Sequence, residues 1–427
     1  MTITVSEAQG RAIAEIRDWY ENRRHVQQVA RVFGYAGAGK TTITAIAMEE
    51  LGLDPMIPGG IGGVLFAAFT GKAALVMTRK GTPAQTIHSL IYRVSEATPE
   101  EIERVTEDLA ALRRDLPRMG PAERNFALTR IAQLELRLED IHQPKFVINE
   151  QSLLRDVDLL VLDEVSMVGE DLGRDLLAFG KPILVLGDPG QLPPVKGAGF
   201  FTEAVPDVML TEVHRQTRDS AILRLATMAR EGQPIPFGAH DDHVWKMSRH
   251  DVGPSQMLQG GQVICGTNAM RRWLNTAMKR AAGFEADYPT GCGEKIICLK
   301  NRHDLGLVNG MFLTLTDVRQ EPDDAFAFSA MVETEDGDLI AGRQSFWRGE
   351  YADHVAFDPE RERREWQARR GLIETSWGYA ITCHKAQGSQ FPTVVVVDDG
   401  FGRTAADRNR WLYTAITRAE WGLVILS

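Results

Sequence analysis

The segment GYAGAGKT at residues 34–41 constrains the fold of this chain more than any other feature of the sequence. It fits the pattern G-x-x-x-x-G-K-[S/T] and lies between an apolar run, VARVF, and a helix-like run, TITAIAMEEL. A strand, a glycine-rich turn and a helix in this order predict a phosphate-binding loop. The glycines let backbone N–H groups face a phosphate, and the helix N-terminus adds a favourable dipole.

The residues that this loop offers to a nucleotide lie in the turn and at the start of the helix. Lys40 is expected to reach the β- and γ-phosphates, and Thr41 offers its hydroxyl to Mg²⁺. The predicted nucleotide-binding set is Gly34, Gly37, Ala38, Gly39, Lys40, Thr41 and Thr42. The alternative is a chance match in a glycine-rich turn, and the flanking strand and helix argue against it.

A second apolar run, LLVLDE, ends in two acidic residues, Asp163 and Glu164. Mg²⁺ takes oxygen ligands and keeps several waters, so one carboxylate is enough, and Asp163 is the candidate ligand. Glu164 is placed to orient or activate an attacking water. Hydrolysis also puts negative charge on the γ-phosphate, which a positioned arginine stabilises; Arg215 and Arg418 are the candidates for that role.

Short apolar runs rich in β-branched residues alternate with helix-like segments and predict two α/β cores. The strands predicted for the two cores are, first, 29–33, 64–69, 159–164 and 183–187, and second, 262–268, 311–317, 393–399 and 422–427. Apolar residues at spacings of three and four predict a helical hairpin over 98–141. Residues 318–370 are predicted to form a small β-rich insertion followed by a charged helix, RERREWQARR.

Charge and composition limit the classes to which the chain can belong. It has 427 residues and a net charge of −10, which disfavours a passive coat on duplex DNA, because such a protein would be basic. A motor that grips one strand in a local groove stays compatible with this charge. No apolar run approaches the roughly 18 residues of a membrane span, and no secretory signal is evident, so no membrane association is expected. The four cysteines form no C-x-x-C pair, which predicts reduced thiols in a cytoplasmic protein.

Beyond these single motifs, eleven segments follow one another in a recognisable order. They are VSEAQGRAI (5–13), GYAGAGKTT (34–42), FTGKAA (69–74), TIHSLIY (86–92), LDEVSM (162–167), LGDPGQLPPV (186–195), LTEVHRQ (210–216), TNAMRRWLN (267–275), GLVNG (306–310), YAITCHKAQGSQF (379–391) and LYTAITRA (412–419). In these segments the chain resembles superfamily 1 helicases of the 5′→3′ branch, in particular RecD-like and phage Dda-like enzymes. The likeness spans nearly the whole chain.

The resemblance implies roles for residues around a bound ATP. Gln9 matches an adenine-contacting glutamine, and Gln191 matches a γ-phosphate sensor that couples hydrolysis to movement. Arg215 and Arg418 match two arginines that reach ATP across the cleft between the motor domains, and Gly388 lies in a segment that faces the nucleotide. The apolar run before Arg418 predicts a docked helix that leaves this arginine exposed near the edge of its domain.

The resemblance also implies contacts with a nucleic-acid strand. Thr70, Lys72 and His88 match strand-contacting segments of the first motor domain, and those of the second are matched by Asn268, Arg272, Thr382 and His384. Other readings stay open for several of them. Asn268 could cap its helix, and His384 could be a buried, hydrogen-bonded histidine. Trp273 and Trp377 could stack on bases, although core positions are the better expectation.

The expected architecture is two RecA-like P-loop motor domains, each carrying an insertion. The first domain is expected at 1–92 and 151–217, with a helical insertion at 93–150; the second is expected at 218–313 and 371–427, with a small SH3-like β-barrel inserted at 314–370. RecD-like relatives separate strands with a β-hairpin pin in the first insertion. Here a helical hairpin takes that position, which leaves the existence of a pin open.

The implied function is an ATP- and Mg²⁺-dependent DNA helicase that translocates 5′→3′. Its expected partners are single-stranded DNA, junctions of single- and double-stranded DNA, and a single-strand binding or repair protein, and a monomer is expected. A translocase that does not unwind, or one that prefers RNA, is the nearest rival. An ATP-dependent switch or scaffold is a rival from another class, and intact Glu164, Arg215 and Arg418 argue against it.

Overall fold

The computed structural model describes residues 5–56, 60–95, 99–142, 145–194, 197–211, 220–320, 326–351, 369 and 371–427. The chain divides into two compact units: Met1–Ile87 together with Asp156–Ser427, and His88–Arg155. None of the described helices is long and apolar enough to cross a membrane.

The described part of the chain contains strands of three larger sheets and one ribbon. The strands are β1 Val29–Gly34, β2 Val64–Ala68, β3 Ala84–Thr86, β4 Tyr92–Ser95, β5 Lys145–Ile148, β6 Leu159–Asp163, β7 Ile183–Gly187, β8 Val208–Leu210, β9 Gly238–Ala239, β10 Val244–Met247, β11 Gln262–Cys265, β12 Lys295–Cys298, β13 Phe312–Gln320, β14 Ala327–Thr334, β15 Gln344–Trp347, β16 Thr375–Trp377, β17 Ala380–Thr382, β18 Phe391–Val397 and β19 Ala419–Leu426.

Helices fill the connections between these strands. They are α1 Glu7–Asp18, α2 Lys40–Glu50, α3 Gly71–Arg79, α4 Ile87–Ile91, α5 Pro99–Asp115, α6 Pro121–His142, α7 Glu170–Leu177, α8 Ala221–Arg230, α9 Pro254–Gln259, α10 Asn268–Ala281, α11 Cys383–Ala386 and α12 Ala405–Ile416.

The first sheet is parallel throughout, in the order β3-β2-β6-β7-β1-β8. Its central strands β2 and β7 are buried along their whole length, as expected for apolar strands covered on both faces. The four strands predicted for the first core are therefore confirmed. Helix α1 begins with a capping box between Ser6 and Gln9 and packs Ile13 and Ile16 into the same core as α2.

The second sheet has the order β17-β11-β18-β19-β10-β9, and only β9 runs antiparallel to its neighbour among the described strands. Three of the predicted strands, at 262–268, 393–399 and 422–427, lie in it. The prediction that the strand at 311–317 belongs to the second α/β core was wrong. Those residues belong to β13, which pairs with antiparallel strands of another sheet. An apolar strand shows no sign in its own sequence of which sheet it will join.

The third sheet is antiparallel, in the order β15-β14-β13-β12-β16. It extends to β12 and β16, on either side of the predicted insertion at 314–370. Ile373 donates its N–H to the carbonyl of Ser345 and accepts the N–H of Trp347, so the short segment before β16 also hydrogen-bonds to β15. The charged helix predicted after this insertion falls almost wholly outside the described residues.

The unit His88–Arg155 contains the predicted helical hairpin, which is confirmed as α5 and α6. Val105 and Leu109 of α5 pack against Ile131 and Leu134 of α6 and form a small core. At the base of the hairpin, β4 and β5 pair as an antiparallel ribbon of four residues in each strand. The unit therefore has apolar contacts of its own.

This separate core predicts local rather than global effects of mutation. Leu134→Ala removes a buried side chain from the hairpin, and such a change costs about 2–5 kcal/mol. We expect hydrogen exchange to accelerate in 99–142 and to stay unchanged in the first parallel sheet. Leu128→Ala, at a half-exposed position of α6, is the control and leaves exchange in both regions unchanged. Equal acceleration in both regions would contradict a separate core.

Candidate active site

The loop between β1 and α2 has the geometry that its glycines predict. Gly37 and Gly39 adopt φ angles of 77° and 82°, in the left-handed region that disfavours side chains. A Cβ atom on Gly39 would also lie 2.6 Å from Nε2 of Gln9. Glycine is therefore required at position 39 both for its backbone angle and for its close approach to α1.

Lys40 and the threonines that follow it stand at the N-terminus of α2. The Lys40 ammonium donates to the carbonyls of Gly34, at 2.7 Å, and Tyr35, at 3.4 Å, so it folds back over the loop. Thr41 and Thr42 are exposed in the first helical turn. The loop thus presents one cation and a helix N-terminus to the same space, which suits a polyphosphate.

Gln9, predicted to contact adenine, uses its carboxamide within the protein. Its Nε2 donates to the carbonyl of Ala38 at 3.2 Å, and its Oε1 accepts the N–H of Ser6 at 3.0 Å. In this structure the buried side chain joins α1 to the phosphate-binding loop. A contact of Gln9 with adenine stays a prediction.

The acidic pair stands at the carboxyl end of β6. Glu164 has a φ of 53°, the single positive φ among the described non-glycine residues, and its N–H donates to Oδ1 of Asp163 at 2.8 Å. Burial and the adjacent Glu164 carboxylate raise the pKa of Asp163 to about 6, and Lys40 opposes that rise. A nearby cation would favour the ionised form of Asp163, as expected of a metal ligand.

The segment after β7 brings Asp188 and Gln191 to the same end of the sheet. Asp188 is buried, and its carboxylate accepts the hydroxyl of Tyr413 at 2.6 Å and the N–H of Gly190 at 2.9 Å. Gln191 is also buried, and its Oε1 accepts no hydrogen bond from the described residues. Sequence reasoning missed Asp188 and Tyr413, although both lie inside segments that carried the resemblance.

Arg418 was expected to be exposed, and this expectation was wrong. Its side chain is 4% exposed and donates to the carbonyls of Thr414 and Ser389 and to the hydroxyl of Thr417. Arg418 lies two residues after the end of α12, and its guanidinium turns back over the end of that helix. A helical pattern in the sequence does not reveal this local packing. Arg215 lies outside the described residues.

The phosphate-binding loop, the acidic pair, the segment after β7 and Arg418 line one cavity of about 550 Å³. The first parallel sheet and its loops supply residues 36–42, Asp163, Glu164, Asp188 and Gln191 to its wall, and the second supplies Gly388, Thr417 and Arg418. Gly388 has a φ of 75°, and a Cβ there would lie 2.8 Å from the hydroxyl of Thr70. The cavity combines cations, a helix N-terminus and paired carboxylates, which is the chemistry that a nucleoside triphosphate with Mg²⁺ requires.

Two of the residues predicted to contact a strand share a second pocket. Asn268 and Thr382 line a cavity of about 280 Å³ together with Arg271, Trp377 and Lys385. Asn268 is exposed and accepts from Arg271, whereas Thr267 caps α10, so the alternative role of Asn268 as a cap was wrong. We call this cavity the Asn268–Thr382 pocket.

The other predicted strand contacts are dispersed. Thr70 caps α3 by accepting the N–H of Ala73, Arg272 is half-buried on α10, and His384 packs its half-buried ring against Phe401. His88 lies in the other unit, where its ring contacts Tyr92 and Phe146. Burial lowers the pKa of both histidines, which favours neutral rings.

Lys72 was predicted to contact a nucleic-acid strand, but its side chain is not exposed to one. Its ammonium is buried over the rings of Phe312 and Phe391 and pairs with Glu335 at 2.8 Å. The expectation for Trp273 was also wrong, because this side chain is 60% exposed, whereas Trp377 is buried as expected. Both errors concern tertiary neighbours that a local pattern does not show.

Comparison with known proteins decides the family. A model of an AAA domain family matches residues 6–246, more than half of the chain, and a model of the UvrD-like helicase C-terminal domain matches residues 378–426. The chain belongs to this AAA-domain family. The resemblance to superfamily 1 RecD-like helicases found in the sequence is confirmed by these matches.

Individual relatives agree with this family. The ATP-dependent RecD2 DNA helicase of Deinococcus radiodurans is 27% identical over 281 residues; the match covers 62% of this chain and 35% of the relative, so the chain spans about a third of that protein. Pif1 helicase from Bacteroides, in complex with ADP-AlF3 and ssDNA, aligns with a TM-score of 0.53 at 17% identity over 99% of this chain and 92% of its own. A Pif1 structure concerned with unwinding of forked dsDNA aligns with a TM-score of 0.52 at 19% identity, over 100% of this chain and 92% of that one. These alignments establish the two-domain RecA-like helicase fold.

The positive φ angle of Glu164 leads to a test of backbone strain in this protein. An L-residue in the left-handed region costs about 1–2 kcal/mol, and glycine avoids that cost. Glu164→Ala and Glu164→Gly both remove the carboxylate, but we expect the glycine variant to melt a few degrees higher. The reverse order is expected at Glu170, in the first turn of α7, where glycine weakens a helix. An alanine variant as stable as the glycine variant at position 164 would show that the position is unstrained.

Arg418 leads to a second test. Arg418→Ala removes the donor of three buried hydrogen bonds, so we expect it to lower stability by about 1–3 kcal/mol and to slow ATP turnover more than it weakens ATP binding. Thermal unfolding, equilibrium nucleotide binding and steady-state turnover measure the three effects. Arg410→Ala, at an exposed position of α12, is the control and leaves all three unchanged. Wild-type turnover in folded Arg418→Ala would refute a role in hydrolysis.

Proposed function

We propose that this chain is an ATP-dependent DNA helicase that hydrolyses ATP, translocates 5′→3′ on single-stranded DNA and unwinds duplex DNA. The observation that carries the proposal is the two-sided wall of the 550 Å³ cavity. The phosphate-binding loop and the acidic pair approach it from the first parallel sheet, and Arg418 approaches it from the second. A nucleotide held between two domains can couple its hydrolysis to their relative movement.

In this proposal the first domain binds the phosphates of ATP and activates the attacking water. Gly37 and Gly39 shape the loop around the phosphates, and Lys40 leaves its carbonyl partners to pair with phosphate oxygens. Thr41 and Asp163 would hold Mg²⁺, which would neutralise phosphate charge when bound. Glu164 accepts a proton from the attacking water, and its backbone N–H fixes the Asp163 carboxylate beside it.

Further contacts with the nucleotide are proposed for residues other than the phosphate-binding loop and the acidic pair. Gln191 senses the γ-phosphate by donating from its Nε2, and its Oε1, without a partner among the described residues, accepts a hydrogen bond from the attacking water. Arg418, and Arg215 from outside the described residues, stabilise the charge that develops on the γ-phosphate. Gln9 contacts adenine, and Gly388 lets the second domain approach the nucleotide closely.

Single-stranded DNA is proposed to bind along the surface that contains the Asn268–Thr382 pocket. Arg271 and Lys385 add positive charge there, and Trp377 forms part of the wall. Thr70, Arg272 and His384 are proposed to extend the contacts, and Lys72 to support them from beneath. His88 is proposed separately as a strand contact within its own unit. The Bacteroides Pif1 relative, described in complex with ssDNA, supports DNA as the substrate. The 5′→3′ direction rests on the RecD-like resemblance.

The finer architecture is part of the proposal. The motor domains are proposed at 1–92 with 151–217 and at 218–313 with 371–427, and the first insertion at 93–150. We propose that the insertion at 314–370 forms an SH3-like barrel with the strands on either side of it, because Ile373 hydrogen-bonds to β15 at the edge opposite β16. The β4–β5 ribbon is the candidate pin, and a single-strand binding or repair protein is the proposed partner. We also propose that the protein is monomeric and cytoplasmic.

Strand displacement tests the proposal directly. We expect ATP-dependent displacement from duplexes with a 5′ single-stranded tail, none from those with a 3′ tail, and stimulation of ATP turnover by single-stranded DNA that weakens as salt rises. Glu164→Gln is the matched control, because it keeps the shape of the side chain without the base. It should bind ATP and DNA but displace nothing.

The outcomes separate the rival functions. DNA-stimulated turnover without displacement from either substrate would favour a translocase that does not unwind, and stronger stimulation by RNA would favour an RNA-directed motor. Turnover indifferent to any nucleic acid would favour the switch or scaffold. Displacement only from 3′ tails would reject the proposed direction.

A further inference from the structure

One hydroxyl group from the second domain joins two parts of the nucleotide site in the first. Tyr413 lies in α12 and is buried. Its hydroxyl accepts the N–H of Ala36, in the phosphate-binding loop, at 2.9 Å and lies 2.6 Å from Oδ2 of Asp188. Because the amide of Ala36 can only donate, the phenol proton is left for the carboxylate.

The surroundings of Tyr413 and Asp188 determine which of the two groups carries the proton. Burial and the adjacent Asp188 raise the pKa of the Tyr413 phenol, so it stays protonated and acts as a donor. The second oxygen of Asp188 accepts the N–H of Gly190 at 2.9 Å. Both carboxylate oxygens are therefore held, one by the second domain and one by the local turn.

The second domain also holds the rest of the segment from Asp188 to Leu192. A Cβ atom on Gly190 would lie 2.9 Å from the Tyr413 ring, so the ring packs directly on the backbone there. Thr414, the next residue of α12, accepts the N–H of Leu192 at 2.9 Å, and Gln387 donates to the carbonyl of Leu192 at the same distance. Both ends of the segment are thus fixed by the second domain.

Gln191 lies between these two anchors. Its own Oε1 has no hydrogen-bond donor among the described residues, and the residue lines the nucleotide cavity. The direction of its side chain therefore depends on how the backbone on either side is held. That backbone is held by Tyr413 and Thr414, more than 200 residues later in the chain.

We propose that Tyr413 is a positioning residue for ATP hydrolysis: its hydroxyl holds the Asp188–Leu192 segment, and with it Gln191, against the phosphate-binding loop. The inference rests on the proposed ATPase function and adds to it a contact through which the second domain organises the site. Tyr413 lies outside the wall of the cavity and acts through Asp188.

Tyr413→Phe tests the hydroxyl alone, because the ring remains against Gly190. We expect kcat for ATP to fall about tenfold or more, with little change in KM, since a buried hydrogen bond to a charged group is lost without loss of a nucleotide contact. Tyr351→Phe is the matched control. It removes a buried tyrosine hydroxyl that bonds to Thr375 at 2.6 Å in the third sheet. Its kcat per folded molecule should equal that of the wild type.

A double-mutant cycle with Asp188→Asn separates positioning from simple loss of stability. If Tyr413 acts through Asp188, the double variant is no slower than the slower single variant. Gly190→Ala crowds the ring and is an independent second variant with the same expected loss of kcat. Thermal melting of each protein shows that folded molecules are compared.

Failure of this inference differs from failure of the proposed function. A wild-type protein without ATPase activity would refute the function itself. An active wild type with unchanged kcat in Tyr413→Phe and in Gly190→Ala, or fully additive losses in the cycle with Asp188→Asn, would overturn the role of Tyr413.

Discussion

The nucleotide site depends on one geometric constraint, which is that parallel strands end at a common edge of their sheet. β1, β6 and β7 are buried neighbours, and each delivers its site residues at its carboxyl end: the phosphate-binding loop, Asp163 with Glu164, and Asp188 with Gln191. Ligands of open α/β sheets bind at this edge for the same reason. Apolar burial on both faces of the strands therefore fixes the distances between polar groups that are far apart in sequence.

Much of what the second domain contributes to the site comes from one short region of chain. Tyr413, Thr414 and Arg418 follow one another within two helical turns of the end of α12, and each makes a buried hydrogen bond. The first two bond to the first domain, and Arg418 bonds within its own domain while lining the cavity. Movement of α12 would thus disturb the backbone around Gln191 and the position of the arginine together.

Much of this could be predicted from the sequence, because the decisive signals are local. The phosphate-binding loop, the acidic pair and the flanking strands are contiguous patterns, and the helical hairpin follows from its apolar spacing. Three other features depend on tertiary contacts that a local pattern does not show. They are the burial of Arg418, the pairing of Lys72 with Glu335 and the exposure of Trp273. The sheet to which β13 belongs could not be predicted either, since an apolar strand fits a parallel or an antiparallel partner.

The bonds of Ile373 to β15 have a consequence for the behaviour of the protein in a crowded solution. A free edge strand offers unpaired N–H and carbonyl groups to any extended chain that meets it and is a common starting point for aggregation. At β15, the carbonyl of Ser345 and the N–H of Trp347 are already engaged by Ile373 of the same molecule. Part of the outer edge of the third sheet is therefore closed to strands of other molecules.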